Sequence, residues 1–229
     1  MPAQIIAHRG ASSECHENSM AAFHRAIELG ADGIELDVHV TRDGAFAVHH
    51  DPDIPGLGPI ASHRAREIVQ HRLPTGEPVP LLPEVITLAE AVDLWIEVKA
   101  LGAHHDDALL RLIAAAPEPR RCAVHSFDHR IVRRLGQRAP GLRTGALLVA
   151  RLNDPVRELE ASGAAALWQE WSQIDDELVA EVHASGRMLI AWTVDAPGDL
   201  VRLGALGVDG LCTNVPGRAR ALTARSAAP

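Results

Sequence analysis

The chain is a succession of short apolar runs separated by amphipathic stretches, and several of the runs end on charged residues. Gln4-Ile5-Ile6-Ala7 stops at His8-Arg9-Gly10. Gly33-Ile34-Glu35-Leu36-Asp37-Val38-His39-Val40 alternates apolar and polar positions, then passes through Thr41-Arg42-Asp43-Gly44 into Ala45-Phe46-Ala47-Val48-His49-His50-Asp51. Strict alternation reads as strand, and Asp-Gly between two such runs as a tight hairpin. A third run, Leu94-Trp95-Ile96-Glu97-Val98-Lys99, ends in a carboxylate and an ammonium two positions apart, which places both on one face of a strand. Further strands are expected at 122–126, 144–149, 165–168, 188–194 and 210–213. Helical periodicity falls around them at 19–29, 82–92, 106–115, 130–138, 155–161, 175–184, 198–206 and onward from 216. Residues 52–80 are richer in Pro and Gly, with one short helical stretch near 64–71, and read as an elaborated loop too short to be a separate domain.

Eight strand positions alternating with helices predict an α/β fold closed into a TIM (β/α)8 barrel, with residues 1–229 as one domain and 52–80 as a small insertion after the second strand. An open doubly wound sheet is the competing topology. No GxGxxG or GxxxxGK[ST] motif signals a nucleotide loop. In a parallel barrel every strand opens its C-terminal end on the same face. That face would gather His8, Arg9, Glu35, Asp37, His50, Glu97 and Lys99 from distant parts of the sequence.

Composition narrows the chemistry. Hydrophobic content of 47% supports a sizeable core, but aromatics are only 3% and tyrosine is absent, so Ala, Val, Leu and Ile must fill it. A formal net charge of −8 argues against nonspecific binding to nucleic acid or to an anionic membrane. Cys15, Cys122 and Cys212 are too few and too far apart for a disulfide framework or a CxxC metal site. The segment Met1-Pro2-Ala3-Gln4 does not open a secretory signal, and no apolar run is long enough to span a bilayer, so the expected location is the cytoplasm. Lys99 is the single lysine beside 21 arginines, and an ammonium is not equivalent to a guanidinium at a phosphate or carboxylate.

Glu35, Asp37 and Glu97 would form an all-oxygen anionic site suited to Mg²⁺ or Ca²⁺ and poorly suited to Zn²⁺. Arg9 and Lys99 add positive charge for an anionic oxygen. Two imidazoles, His8 and His50, can accept and donate a proton near neutral pH. Cation, positive side chains and paired histidines are the parts needed to cleave a phosphodiester. His49 should point away from His50. His39 shares the parity of Glu35 and Asp37 and could reach the rim of a cation site. His104-His105-Asp106-Asp107 is metal-like in composition but reads as a solvated loop leading into a helix N-terminus, where Asp is favoured. Arg130, Arg133 and Arg134 read as an exposed helix face.

The runs His8-Arg9-Gly10, Glu17-Asn18-Ser19, residues 30–38, Thr41-Arg42-Asp43-Gly44 and His50-Asp51 together resemble the glycerophosphodiester phosphodiesterase family. The same holds for residues 80–85, Ile96-Glu97-Val98-Lys99, Ser126-Phe127, residues 191–194 and residues 207–214, so the resemblance runs in order along nearly the whole chain. It implies a TIM barrel that hydrolyses glycerophosphodiesters to glycerol 3-phosphate and an alcohol with one divalent cation. It also implies His8 and His50 as catalytic residues, Glu35, Asp37 and Glu97 as metal ligands, Arg9 and Lys99 as phosphate contacts, and Phe127 and Trp192 near the glycerol. The implied partner is this small-molecule substrate, with the protein a monomer or homo-oligomer. The family's Pro-Glu-Asn is His16-Glu17-Asn18 here, which alters loop rigidity, and its Thr-Asp is Thr213-Asn214, read as a minor polar contact. Related readings are a lyase that cyclises lysophospholipids on the same barrel, and a barrel that binds a phosphorylated ligand without turnover.

Overall fold

The structure is a computed structural model that describes residues 2–226; Met1 and residues 227–229, which the expected single unit includes, lie outside the described residues. Strands β1 (Gln4–His8), β2 (Gly33–Val40), β3 (Phe46–Val48), β4 (Asp53–Ile54), β5 (Gly58–Pro59), β6 (Asp93–Val98), β7 (Cys122–Ser126), β8 (Arg143–Leu148), β9 (Ala166–Glu170), β10 (Met188–Trp192) and β11 (Gly210–Thr213) alternate with helices. The helices are α1 (Met20–Glu28), α2 (Ala65–Gln70), α3 (Leu82–Val85), α4 (Asp106–Ala114), α5 (His129–Arg138), α6 (Pro155–Ser162), α7 (Asp176–Ala184), α8 (Pro197–Leu206) and α9 (Pro216–Ser226). Eight of the strands run in the order β1-β11-β10-β9-β8-β7-β6-β2, and β1 pairs back onto β2. Every pairing around this ring is parallel, so the sheet closes into the expected barrel. β3 folds back antiparallel on β2 through the Thr41–Gly44 turn and pairs Val38 with Val48.

The barrel interior is closed below its C-terminal face by Trp95 and Trp168, packed edge to face at 5.1 Å, with Ile6, Leu147, Ile190 and Cys212 around them. Two indoles therefore fill the centre of a core otherwise made mostly of Ala, Val, Leu and Ile. The helices pack outside on apolar stripes at helical spacing, such as Ala22, Phe23 and Ala26 of α1 and Ile131, Val132 and Leu135 of α5. Ser19 caps α1 by accepting the Ala22 N–H, while Asp154 and Asp175 do the same for α6 and α7.

Two details differ from the sequence expectation. The helix expected over 82–92 is a single turn of α-helix followed by a 3-10 stretch from Ile86 to Glu90; Leu82, Val85, Ile86, Leu88 and Ala89 turn to the core while Glu84, Thr87 and Glu90 face out, so the expected amphipathic pattern is present in a tighter winding. The 52–80 segment is more built than a loop. It contains the β4–β5 hairpin and α2, and it buries Ile54, Ile60, Ile68, Leu73 and Val79 in an apolar cluster with Ala47 of β3.

Candidate active site

Each acidic candidate is placed by strand register. His8 pairs with Glu35, Asp37 with Glu97, and Glu97 with His125, so neighbouring strands bring these side chains to adjoining interior positions near the C-terminal rim. One carboxylate oxygen each from Glu35, Asp37 and Glu97 lies within 4.8 Å of the others, and all three side chains are buried. Carboxylates this close repel strongly unless cations lie between them. Lys99 Nζ sits 2.7 Å from Asp37 Oδ1 and 2.7 Å from Glu97 Oε1. Arg9 Nε lies 3.2 Å from Asp37 Oδ2.

Arg9 is held in an unusual way. Its φ of 55° is left-handed, which costs a non-glycine residue about 1–3 kcal/mol. In return its peptide N–H points at Glu35 Oε2, 3.1 Å away, and its guanidinium reaches both oxygens of Glu17 at 3.0 and 2.9 Å. Gly10 follows with φ 83°; a Cβ there would lie 2.6 Å from the Ala22 carbonyl carbon, so only glycine lets α1 pack this close to the turn. Asn18, also left-handed at 53°, donates to Asp37 Oδ2 at 2.8 Å and accepts the Asp37 N–H at 3.3 Å.

The electrostatics divide the triad. Burial pushes the Glu35 carboxyl up to about 7, and neighbouring Asp37 adds to it. Burial also lifts Glu97 to about 7, with Glu35 and Asp37 reinforcing the rise against His125. Asp37 is equally buried, but Lys99, Arg9 and the Asn18 amide outweigh desolvation and bring it down to about 2. Two positive side chains thus do not neutralise three acids, and Glu35 Oε1 has no hydrogen-bond partner. A hard divalent cation fits this donor set: three carboxylates, clustered oxygens, residual negative charge and an orphan oxygen.

The two histidines reach the same small cleft, of about 70 Å³, which is also lined by Arg9, Lys99, Phe127 and Trp192. His8 Nδ1 donates to Asn214 Oδ1 at 2.8 Å. The Asn214 amide donates in turn to Asp195 Oδ2 at 2.6 Å, and its peptide N–H to Asp195 Oδ1 at 2.8 Å. A carboxylate only accepts, so Asp195 turns the amide NH₂ toward itself and the Oδ1 toward His8. The proton of a neutral His8 is thereby held on Nδ1, and the Nε2 lone pair faces the acids, 3.9 Å from Glu35 Oε2. Asn214, read from sequence as a minor contact, is the partner of this histidine. No local sequence signal gives that, because 206 residues separate the two.

His50 follows the β2–β3 hairpin and donates from Nδ1 to Asp51 Oδ1 at 2.8 Å. Its carbonyl accepts from His39 Nε2 at 2.9 Å. His39 therefore ties down the His50 backbone and does not join the acidic cluster, and burial lowers its basicity. Phe127, half exposed, and Trp192 pack edge to face at 5.5 Å on the cleft wall. Among the described residues no cluster other than the Glu35–Asp37–Glu97 triad has the geometry of a metal site, so the His104-His105-Asp106-Asp107 run is not one. Asp106 is fully buried and paired with Arg134 and Arg138, which also corrects the expectation that Arg134 lies on a free helix face.

A closed parallel barrel carrying acids, positive side chains and two imidazoles on its C-terminal rim belongs to the class of α/β-barrel enzymes furnished for an anionic ester. Residues 8–218 match the glycerophosphoryl diester phosphodiesterase family. A glycerophosphodiester phosphodiesterase of Caldanaerobacter subterraneus subsp. tengcongensis is 35% identical over 94% of this chain and 96% of its own length. A crystal structure of a glycerophosphodiester phosphodiesterase from Parabacteroides distasonis superposes with a TM-score of 0.89 at 25% identity, covering 99% of each chain. A phosphodiesterase from Oleispira antarctica, solved in complex with the product sn-glycerol-3-phosphate, has the same fold with a TM-score of 0.89 at 23% identity over 96% of each chain. The chain belongs to the glycerophosphoryl diester phosphodiesterase family of enzymes.

Proposed function

We propose that this protein hydrolyses glycerophosphodiesters to glycerol 3-phosphate and an alcohol, with one divalent cation, Mg²⁺ or Ca²⁺, held by Glu35, Asp37 and Glu97. The observation that carries this reading is the meeting of three acids from β2 and β6 within 4.8 Å, between Arg9 and Lys99. When bound, the cation supplies Lewis-acid polarisation of a phosphoryl oxygen. The product complex of the Oleispira antarctica enzyme supports glycerol 3-phosphate as the product class.

The chain's own groups divide the remaining work. Lys99 and Arg9 offer positive charge to the phosphate oxygens, where it counts most as negative charge develops. His8 presents a bare Nε2 to the cleft and acts as general base, its tautomer set by Asn214 and Asp195. His50 carries its Nδ1 proton toward Asp51; in its imidazolium form Nε2 donates the second proton to the leaving alkoxide. Phe127 and Trp192 supply an apolar wall for the glycerol backbone.

Residues 2–226 work as one barrel unit, with 52–80 as an insertion beside His50. A cytoplasmic setting agrees with three cysteines that remain free thiols, and no helix among the described residues is long and apolar enough to cross a membrane. A turnover screen of glycerophosphocholine, -ethanolamine, -glycerol and -inositol, with and without chelator, tests the reading. Phosphorus NMR should show glycerol 3-phosphate that depends on added cation. Undiminished turnover in chelator, or a cyclic phosphate as the final product, would overturn it.

A further inference from the structure

His125 stands at an interior position of β7, in register with Glu97 on one side and Gly145 on the other. Its ring is 1% exposed, and neither ring nitrogen has a hydrogen-bond partner. An unpaired buried polar group is costly, and an apolar side chain of similar size would avoid that cost. The surroundings are nevertheless built around this ring. A Cβ at Gly145 would lie 3.1 Å from His125 Cβ and 2.8 Å from Trp168 Cδ1, so the missing side chain there makes room for both. Trp168 lies against the imidazole at 4.2 Å and Trp95 meets it edge-on at 5.9 Å.

The ring is directed at Glu35. His125 Nε2 is 3.6 Å from Glu35 Oε1, the orphan oxygen of that carboxyl, whereas Oε2 already accepts the Arg9 N–H. This gap is a few tenths of an ångström beyond a hydrogen bond. The positive side chains beside the triad are already engaged: Lys99 by Asp37 and Glu97, and the Arg9 side chain by Asp37 and Glu17.

We propose that His125 is a positioning residue for the cation site: its Nε2–H donates to Glu35 Oε1 and fixes the direction in which that carboxylate faces the ion. This rests on the reading of Glu35, Asp37 and Glu97 as cation ligands. Ligating carboxylates are themselves commonly oriented by a hydrogen bond from behind. A donor to an ionised oxygen makes a bond about twice as strong as one to a neutral group. The imidazole N–H is therefore matched to Glu35 held as a carboxylate.

The test is calorimetric titration of Mn²⁺ into the wild-type protein, His125→Gln and His125→Met, with thermal unfolding of each metal-free protein. Glutamine keeps an N–H donor; methionine fills the space without one. His125→Met should bind Mn²⁺ roughly 10- to 100-fold more weakly, and His125→Gln should stay within about threefold of wild type. Metal-free His125→Met should melt no lower than wild type, because it removes an unpaired buried group. A purely structural histidine predicts the reverse, lower melting with unchanged affinity. Wild-type affinity in His125→Met overturns the proposal. So does His125→Gln as weak as His125→Met, or a His125→Met that melts lower or fails to fold. A wild-type protein that binds no Mn²⁺ overturns the cation site itself, and with it the role of His125.

Discussion

Glu35→Gln should stabilise the metal-free protein while abolishing its response to metal. The Glu35 carboxyl rises from 4.5 to about 7 on folding because burial, and then Asp37, disfavour its charge. The folded state therefore binds this proton more tightly than the unfolded state. The corresponding stabilisation is full below about 4.5 and is lost as pH rises through about 7. At about 1.4 kcal/mol per pKa unit the loss at pH 8 approaches about 3 kcal/mol. Glutamine never ionises, so in chelator at pH 8 it should recover about 1–3 kcal/mol, seen as a melting temperature higher by about 2–10 °C for a domain of this size. At pH 4.5 the two proteins should melt together. Adding Mg²⁺ at a hundred times its dissociation constant should stabilise wild type by about 2.7 kcal/mol and leave Glu35→Gln unmoved. A Glu35→Gln protein no more stable than wild type at pH 8 in chelator, or one with the same advantage at pH 4.5, would refute the electrostatic account of this site.

Other outcomes follow from the same geometry. His8→Ala and His50→Ala should each lower turnover of glycerophosphocholine roughly 10²- to 10⁴-fold with unchanged circular dichroism; full activity in both would remove the acid/base assignment. Asn214→Leu leaves His8 Nδ1 without its acceptor, so kcat should fall roughly 10- to 100-fold, part of the general-base contribution, while KM holds. Cation binding should release protons below pH 8 and tighten as pH rises through about 7, because Glu35 and Glu97 must both ionise; calorimetry in two buffers of different ionisation enthalpy measures this. Asp106→Ala removes a buried carboxylate whose pairing with the partly exposed Arg134 and Arg138 joins α4 to α5, and should cost about 1–2 kcal/mol in urea unfolding with little change in KM.

The barrel was legible because its signal is periodic and local. The alternation around Glu35 and Asp37 and the Asp43-Gly44 turn define β2, β3 and the face they share, and Lys99 stands out as the one lysine. The supports of the site left no such trace. Asn214 and Asp195 fix His8 from the far end of the chain, and Asn18 reaches Asp37 from a left-handed backbone position. His125 lies in an apolar strand whose pattern says buried and nothing more; its relation to Glu35 exists only once β2, β6 and β7 are set side by side. His39 was left open by its sequence for the opposite reason. Its parity matched the acids, but β2 is by then pairing with β3, and the side chain serves the hairpin instead.

The two imidazoles stand on parts of different mechanical character. His8 belongs to the closed ring, whose strands each have two neighbours, whereas His50 hangs from an antiparallel flap backed by the 52–80 cluster. Repacking that flap would therefore shift the surroundings of His50 while the ring keeps the three acids in place.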